Sequence, residues 1–249
     1  GEIYNYLELK KILEKYFLFK TSSDTEVLLA AYEHWGENFL NKLEGMFAFA
    51  IFDYKKNKAF FARDRFGQKP LFFWNKSNKL YFSSEVKGII AAGYKAEANY
   101  KTWFDYLYFG ATDHTSETFF KNVSQLLPGE SASFNIKEGL IIKKWYNFNE
   151  IIKRKEKVLP TDIKKSIDKK TLNSVKINSR ADVPISIALS GGLDSSLLMS
   201  ICYNKNYLNK KPKCFSFQFE KDYSEKKFID ASTEFYSFKS NYVDFSKVD

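Results

Sequence analysis

Apolar and polar positions divide the chain into a first part that mixes helices with short strands and a second part in which the two alternate. Residues 6–16 and 24–35 place apolar side chains at helical spacing, and Ser22-Ser23-Asp24 offers a capping residue before the second helix. After Glu44-Gly45 the period shortens to two, which predicts strands over 46–52, 59–62, 71–74 and 79–83. Helices over 86–92 and 100–109 follow. The turn Leu127-Pro128-Gly129-Glu130 then opens two more strands, 131–136 and 140–146. Residues 148–160 are charged and read as a linker.

From residue 161 the pattern is helix, strand (183–189), glycine turn, helix (194–201), strand (213–219), helix (224–238) and a short strand near Tyr242-Val243. Leu197, Leu198 and Ile201 would share one face of the middle helix. Such alternation predicts a parallel α/β sheet with its ligand at the carboxyl ends of the strands. The expected domains are 1–147 and 161–249, joined by the linker 148–160. The second holds only about three strands, fewer than such sheets ordinarily carry, and is expected to be truncated.

Composition narrows the classes. With 44% hydrophobic and 18% aromatic residues the chain is expected to fold rather than remain disordered. No apolar run reaches the roughly 18–20 residues of a membrane span, and Lys10, Lys11, Glu14 and Lys15 argue against a signal peptide. The net charge of +9 is nearly all lysine and is spread along the chain, so it reads as solvated surface rather than a nucleic-acid patch. Cys202 and Cys214 have neither CxxC spacing nor a nearby histidine pair, and are expected to be buried free thiols. These features imply a cytoplasmic protein without nucleic-acid or membrane partners.

The chemistry concentrates in Ser190-Gly191-Gly192-Leu193-Asp194-Ser195-Ser196, which lies between an apolar strand and a helix. Two glycines let the backbone approach an anion, while the hydroxyls of Ser190, Ser195 and Ser196 and the free N–H groups of the helix start can donate to phosphate oxygens. The GxxxxGK[ST] spacing of the other common phosphate loop is absent. The plainer alternative is a Gly-Gly turn before a helix capped by Asp or Ser.

The string SGGLDSS resembles the pyrophosphate loop of ATP pyrophosphatases. Together with Gly1-Glu2-Ile3-Tyr4-Asn5, Ser23-Asp24-Thr25-Glu26, Leu43-Glu44-Gly45-Met46-Phe47-Ala48-Phe49, residues 63–71 (RDRFGQKPL), Ser84-Glu85-Val86-Lys87 and Leu127-Pro128-Gly129, it resembles the glutamine-hydrolysing asparagine synthetase family over nearly the whole chain. The resemblance implies an αββα-sandwich class II glutamine amidotransferase domain, followed by a parallel-sheet domain of the ATP pyrophosphatase (adenine nucleotide α hydrolase-like) type. It implies glutamine hydrolysis to ammonia, adenylation of aspartate by ATP with Mg2+, and displacement of AMP by ammonia to give asparagine.

By the same resemblance, the Gly1 backbone N–H contributes to an oxyanion hole, while Glu2 and Asp24 hold glutamine, Asp24 through the α-ammonium. Asp24 reads equally as a helix N-cap. Leu189, Ser190, Gly191, Gly192, Asp194 and Ser195 would bind ATP, with Asp194 near the pyrophosphate and its magnesium. Phe217 matches a position that packs on adenine, or is plain core. Residues 63–71 read as a strand-to-turn connection with salt-bridged charges and no catalytic role.

Two departures from the family stand out. The cysteine that attacks glutamine is absent from the chain, and so are the acidic SGEGSDE-like motif and the acceptor-binding residues. The expectation is a fragment that is inactive by itself. The partners expected for the whole enzyme are glutamine, aspartate and ATP, with a homodimer as an allowed assembly. Three alternatives stay open: a related amidotransferase with another acceptor (β-lactam synthetase-like, or acting on sugars or peptides), a non-catalytic protein of this fold, and a tRNA-modifying ATP pyrophosphatase.

Overall fold

A computed structural model describes residues 1–155, 161–205, 213–218, 225–237 and 240–244. The chain forms two compact units, Gly1–Lys157 and Val158–Asp249. Unit 1 begins with β1 (Glu2–Ile3), α1 (Tyr6–Leu13), α2 (Asp24–Trp35) and a 3-10 helix (Gly36–Lys42). It continues through β2 (Gly45–Met46), β3 (Ala48–Asp53), β4 (Lys58–Arg63), β5 (Phe72–Lys76), β6 (Lys79–Ser83), α3 (Val86–Ala91) and α4 (Tyr100–Phe109). β7 (Val123–Gln125), β8 (Glu130–Asn135), β9 (Gly139–Lys144) and α5 (Phe148–Lys155) complete it.

The antiparallel sheet β3-β4-β8-β9 stacks on the antiparallel sheet β6-β5-β7. Between them lie Phe61, Leu71, Phe73, Leu126 and Ala132, and the Phe61 ring meets Phe73 edge-on at 5.1 Å. On β4 the side chains alternate, so Phe60 points to the opposite face, where it packs with Leu13, Val27, Ala31, Phe39 and Ile51 under α1, α2 and the 3-10 helix. Trp74, Ile89, Tyr94 and Val123 fill the outer face of the second sheet beneath α3. The layer order is therefore αββα.

Unit 2 holds α6 (Ile163–Asn178), β10 (Ser186–Ala188), α7 (Leu193–Lys205), β11 (Lys213–Gln218), α8 (Lys226–Phe235) and β12 (Ser240–Asp244). Its strands are parallel in the order β10-β11-β12, as strand–helix–strand connections require. Leu189, Met199, Cys214 and Ile229 form its core, with a second cluster of Val175, Ile201 and Cys202 beneath α6. Both cysteines are buried and free. Among the described residues no helix is long and apolar enough to cross a membrane.

The structure departs from the sequence reading at several elements. The helix expected over 6–16 ends at Leu13, because the N–H groups of Tyr16 and Phe17 both turn back to the Leu13 carbonyl. The strand expected over 46–52 is interrupted at Phe47 and serves two different partners, β1 and β4. β9 stops at Lys144, where Trp145 and Tyr146 both donate their N–H to the Gly129 carbonyl. Residues 148–155 of the expected linker form α5, while 156–160 lie outside the described residues. The ends expected at Phe219, Ser224 and Phe238 also lie outside them.

On α7 the buried residues are Met199, Ile201 and Cys202, whereas Leu197 and Leu198 are half-exposed at 51% and 47%. The helix is held by the sheet and α8 on one side and by α6 on the other. Two contact lines, rather than one apolar stripe, set its orientation.

Candidate functional sites

In unit 1 the first five residues are clasped from three directions. β1 pairs with β2, placing Glu2 opposite Met46 and Ile3 opposite Gly45. The Ile3 N–H donates to Asp24 Oδ2 at 2.9 Å. Asn5 ties the end of the 3-10 helix to the residue before β2 by donating from Nδ2 to the Lys42 carbonyl and accepting the Glu44 N–H at Oδ1, both at 2.9 Å. The approach is close. A Cβ on Gly1 would lie 2.6 Å from the Met46 carbonyl oxygen and 2.8 Å from Phe47 Cα, and a Cβ on Gly45 would strike the Glu2 carbonyl.

Gly1, Glu2 and Asp24, expected to share one site, are thus neighbours. The helix cap is settled in favour of Ser23, whose Oγ accepts the Thr25 N–H, while Asp24 is the first helical residue and uses one carboxylate oxygen on Ile3. The Tyr4 phenol is pushed above its ordinary pKa by burial and then by the charges of Glu2 and Asp64, which brings Asp64 into the same neighbourhood.

Next to this clasp lies a buried charged pair, Arg63 and Asp64, whose setting sequence reasoning passed over. Asp64 is 1% exposed. Its carboxylate accepts four backbone N–H groups: Phe47 (3.2 Å) and Lys69 (3.1 Å) at Oδ2, Phe66 (3.1 Å) and Gln68 (3.0 Å) at Oδ1. Arg63 donates to the carbonyls of Lys69, Leu126 and Gly67 at 2.7, 2.6 and 2.8 Å, and to Gln125 Oε1 at 3.2 Å. Burial lowers the Arg63 pKa, against the pull of Asp64, Asp113 and Glu130.

The salt-bridged connection expected over 63–71 is therefore corrected. Both charges lie inside and are matched to main-chain dipoles, which compensates their desolvation. The only sequence trace of this arrangement is a pair of glycines. Gly67 (φ +66°) packs on Pro128 and the Arg63 guanidinium, and Gly129 (φ +70°) packs on the Tyr146 carbonyl. Neither shows from sequence which group it approaches.

In unit 2 the loop leaves β10 at its carboxyl end. Leu189 is core; its N–H donates to the Phe215 carbonyl at 2.8 Å and its carbonyl accepts from Ser216 Oγ at 2.7 Å. Gly191 adopts φ +84°, where a Cβ would meet the Glu225 carbonyl and Phe228 Cβ at 3.2 Å. Ser190 and Ser195 close the loop upon itself with long bonds. Their hydroxyls lie 3.1 Å apart, the Ser190 N–H reaches Ser195 Oγ at 3.3 Å, the Gly192 N–H reaches Ser190 Oγ at 3.3 Å, and Ser195 Oγ donates to the Gly192 carbonyl at 3.2 Å. Asp194 lies exposed in the first turn of α7.

Phe217 is 57% exposed near the carboxyl end of β11, while its neighbours Cys214 and Ser216 are buried. The plain-core reading of Phe217 does not hold. The loop, the α7 N-terminus and the Phe217 ring share the sheet edge at which α/β folds take nucleotides. Among the described residues no cluster of three or more His, Cys, Asp or Glu could by itself enclose a metal ion.

Residues 1–146 match the family model of a glutamine amidotransferase domain. The chain belongs to that family. In addition, residues 166–249 match the model of asparagine synthase, so the two families follow one another in this chain. Glutamine-hydrolyzing asparagine synthetase 1 of Bacillus subtilis is 36% identical over 203 residues, covering 81% of this chain and 31% of the relative. The putative glutamine-hydrolyzing asparagine synthetase 2 of Methanocaldococcus jannaschii is 36% identical over 264 residues, covering 100% and 48%. Amidase chyE of Penicillium rubens is 31% identical over 234 residues, covering 89% and 34%. The chain spans about a third to a half of the length of these curated relatives.

Proposed function

We propose that this chain is the glutamine-binding and nucleotide-binding part of a glutamine-dependent asparagine synthetase. The whole protein would release ammonia from glutamine, adenylate the side-chain carboxylate of aspartate with ATP, and let ammonia displace AMP. The observation that carries the reading is the order of two families in one chain, each with a local geometry suited to its step. In unit 1, Asp24 has one carboxylate oxygen on Ile3 and a negative charge to pair with the glutamine α-ammonium. Glu2 precedes Ile3 on β1 and would join Asp24 in holding glutamine, and the Gly1 N–H would donate to a developing oxyanion. Cys202 and Cys214 are not assigned the nucleophile's part, because both are buried in unit 2 and burial raises both thiols' pKa.

In unit 2 the Ser190 and Ser195 hydroxyls and the α7 N-terminus would take the ATP phosphates, and Phe217 would lie on the adenine. The donor set fits Mg2+ held mainly by phosphate oxygens and water with Asp194 at its edge, since one carboxylate cannot complete a hard-cation shell. When bound, the ion would neutralise charge on the departing pyrophosphate. A second reading keeps both units but changes the acceptor, and it is favoured by the similarity to amidase chyE.

The test uses the full-length parent protein. Asp194→Ala is expected to abolish AMP formation while glutamine hydrolysis continues; undiminished AMP release would remove the loop assignment. Asp24→Asn, which keeps an acceptor for Ile3, is expected to raise the glutamine requirement and spare the ammonia-driven reaction. AMP release that needs no aspartate would select the second reading.

A further inference from the structure

Strand β4 leaves its sheet at Arg63, and the next residue continues the ladder in an unusual way. The register that pairs Ala48 with Arg63 would set Phe47 opposite Asp64. One ladder bond is made, from the Asp64 N–H to the Phe47 carbonyl at 2.8 Å. The reciprocal bond is not, because the Asp64 carbonyl is taken by the N–H groups of Gly67 (3.2 Å) and Gly129 (2.9 Å). The Asp64 carboxylate supplies the missing acceptor, taking the Phe47 N–H at Oδ2. Asp64 thus holds both backbone polar groups of Phe47. Phe47 is the residue against which Gly1 is seated, 2.8 Å from where a Gly1 Cβ would be, and it follows directly on the Gly45-Met46 strand that pairs with Glu2-Ile3.

We propose that Asp64 is a positioning residue for glutamine binding: it fixes Phe47, and through Phe47 sets the place of the Gly1-Glu2 strand relative to Asp24. Asp64 touches no substrate. The proposal rests on the amidotransferase reading of unit 1. A carboxylate suits the task because two oxygens can accept four N–H groups, so the turn 66–69 and Phe47 are locked by one group. An amide at this position offers one accepting oxygen and turns its own N–H2 toward two N–H donors.

The experiment compares Asp64→Asn with the unaltered full-length protein, using glutamine and free ammonia as alternative nitrogen donors and recording amide exchange. The expected result is a rise in glutamine KM on the order of ten- to a hundredfold, the scale of a small misplacement of binding groups. The ammonia-driven rate should stay near that of the unaltered protein, and the Ile3 and Phe47 amides should exchange faster. An unchanged glutamine KM, or equal loss with both donors, overturns the proposal.

Arg63→Lys disturbs the same turn from the side away from Phe47 and should leave glutamine KM unaltered; an equal KM rise there would reduce Asp64 to a folding role and overturn it. Should D64N not fold, Gly1→Ala presses on Phe47 from the other side and should give the same glutamine-only defect. Equal loss with both donors in G1A overturns the proposal. An unaltered protein that uses ammonia but never glutamine defeats the amidotransferase reading. Amide exchange at Phe47 then still decides the clasp: faster exchange in the variant supports it, and unchanged exchange overturns it.

Discussion

In unit 1 the charged groups around the candidate glutamine site bond to main chain, whereas in unit 2 the polar groups of the candidate nucleotide loop bond chiefly to one another. The side chains of Asp64 and Arg63 each make four hydrogen bonds, and every one but the Arg63–Gln125 contact ends on a backbone atom. The bonds between Ser190, Gly192 and Ser195 run from 3.1 to 3.3 Å, longer than strong hydroxyl bonds, on an exposed turn. A network of the first kind fixes a shape, because removing one member strands buried dipoles. One of the second kind is easily exchanged for phosphate oxygens, since each hydroxyl gives up a weak partner for a charged one. On this reading the candidate glutamine site would keep its shape before a ligand arrives, and the candidate nucleotide loop would be held by bonds that cost little to break.

The contrast breaks most severely if the buried guanidinium is removed. Arg63→Met would leave the carbonyls of Gly67, Lys69 and Leu126 without their donor and remove a positive charge that interacts with Asp64. A loss of about 3–5 kcal/mol is expected, the range for breaking a buried charge's partnership. Urea unfolding followed by a unit 1 tryptophan signal measures it, and a loss below about 1 kcal/mol, the worth of an ordinary hydrogen bond, would mean that solvent replaces the donor.

Next in size is a pair of glycine substitutions in the loop. Gly191→Ala meets a left-handed backbone and crowding from α8, so unit 2 should lose about 1–3 kcal/mol and ATP affinity should fall. Gly192→Ala meets only Ser190 Oγ at 3.4 Å, an ordinary contact, so stability should barely change while ATP affinity still falls through lost space for phosphate. Equal destabilisation by both would mean that the loop, like the clasp, is fixed by its backbone.

How much of this was legible in sequence follows from how many residues carry each signal. α2, β6 and α4 were read to the residue, since ten or so periodic positions, or five between clear turns, make a pattern. β1, β2 and β7 have two or three residues each, too few for alternation to show, and β1 and β2 frame the candidate glutamine site. The SGGLDSS loop was visible because contiguous residues build it. The Arg63–Asp64 network was not, because its partners come from 47, 66–69 and 125–126, and a charged pair before a glycine turn ordinarily lies in solvent. α5 was masked by the charges that made its segment look like a linker.

The mildest prediction uses the two thiols as a reporter confined to unit 2. Burial holds Cys214 in its neutral form, pushing its pKa up to about 11 from 9.0, with the nearby Cys202 adding to the rise; burial raises Cys202 as well, opposed by a hydrogen bond with Ser179. A thiol whose folded pKa exceeds its unfolded one binds its proton longer in the native state. Its contribution to stability is complete below the unfolded pKa and is lost as pH rises from there through the folded value. Unit 2 should therefore weaken between about pH 9 and pH 11. At neutral pH peptide-resolved maleimide labelling of Cys202 and Cys214 should be slow, and it should follow urea unfolding of unit 2, unaffected by Arg63→Met. Labelling of the native protein at the rate of a free thiol would show that β11 and α7 open readily. The self-closed loop between β10 and α7 would then be held more loosely than its neighbours, and the distinction between a rigid site and a ready one would extend to the whole of unit 2.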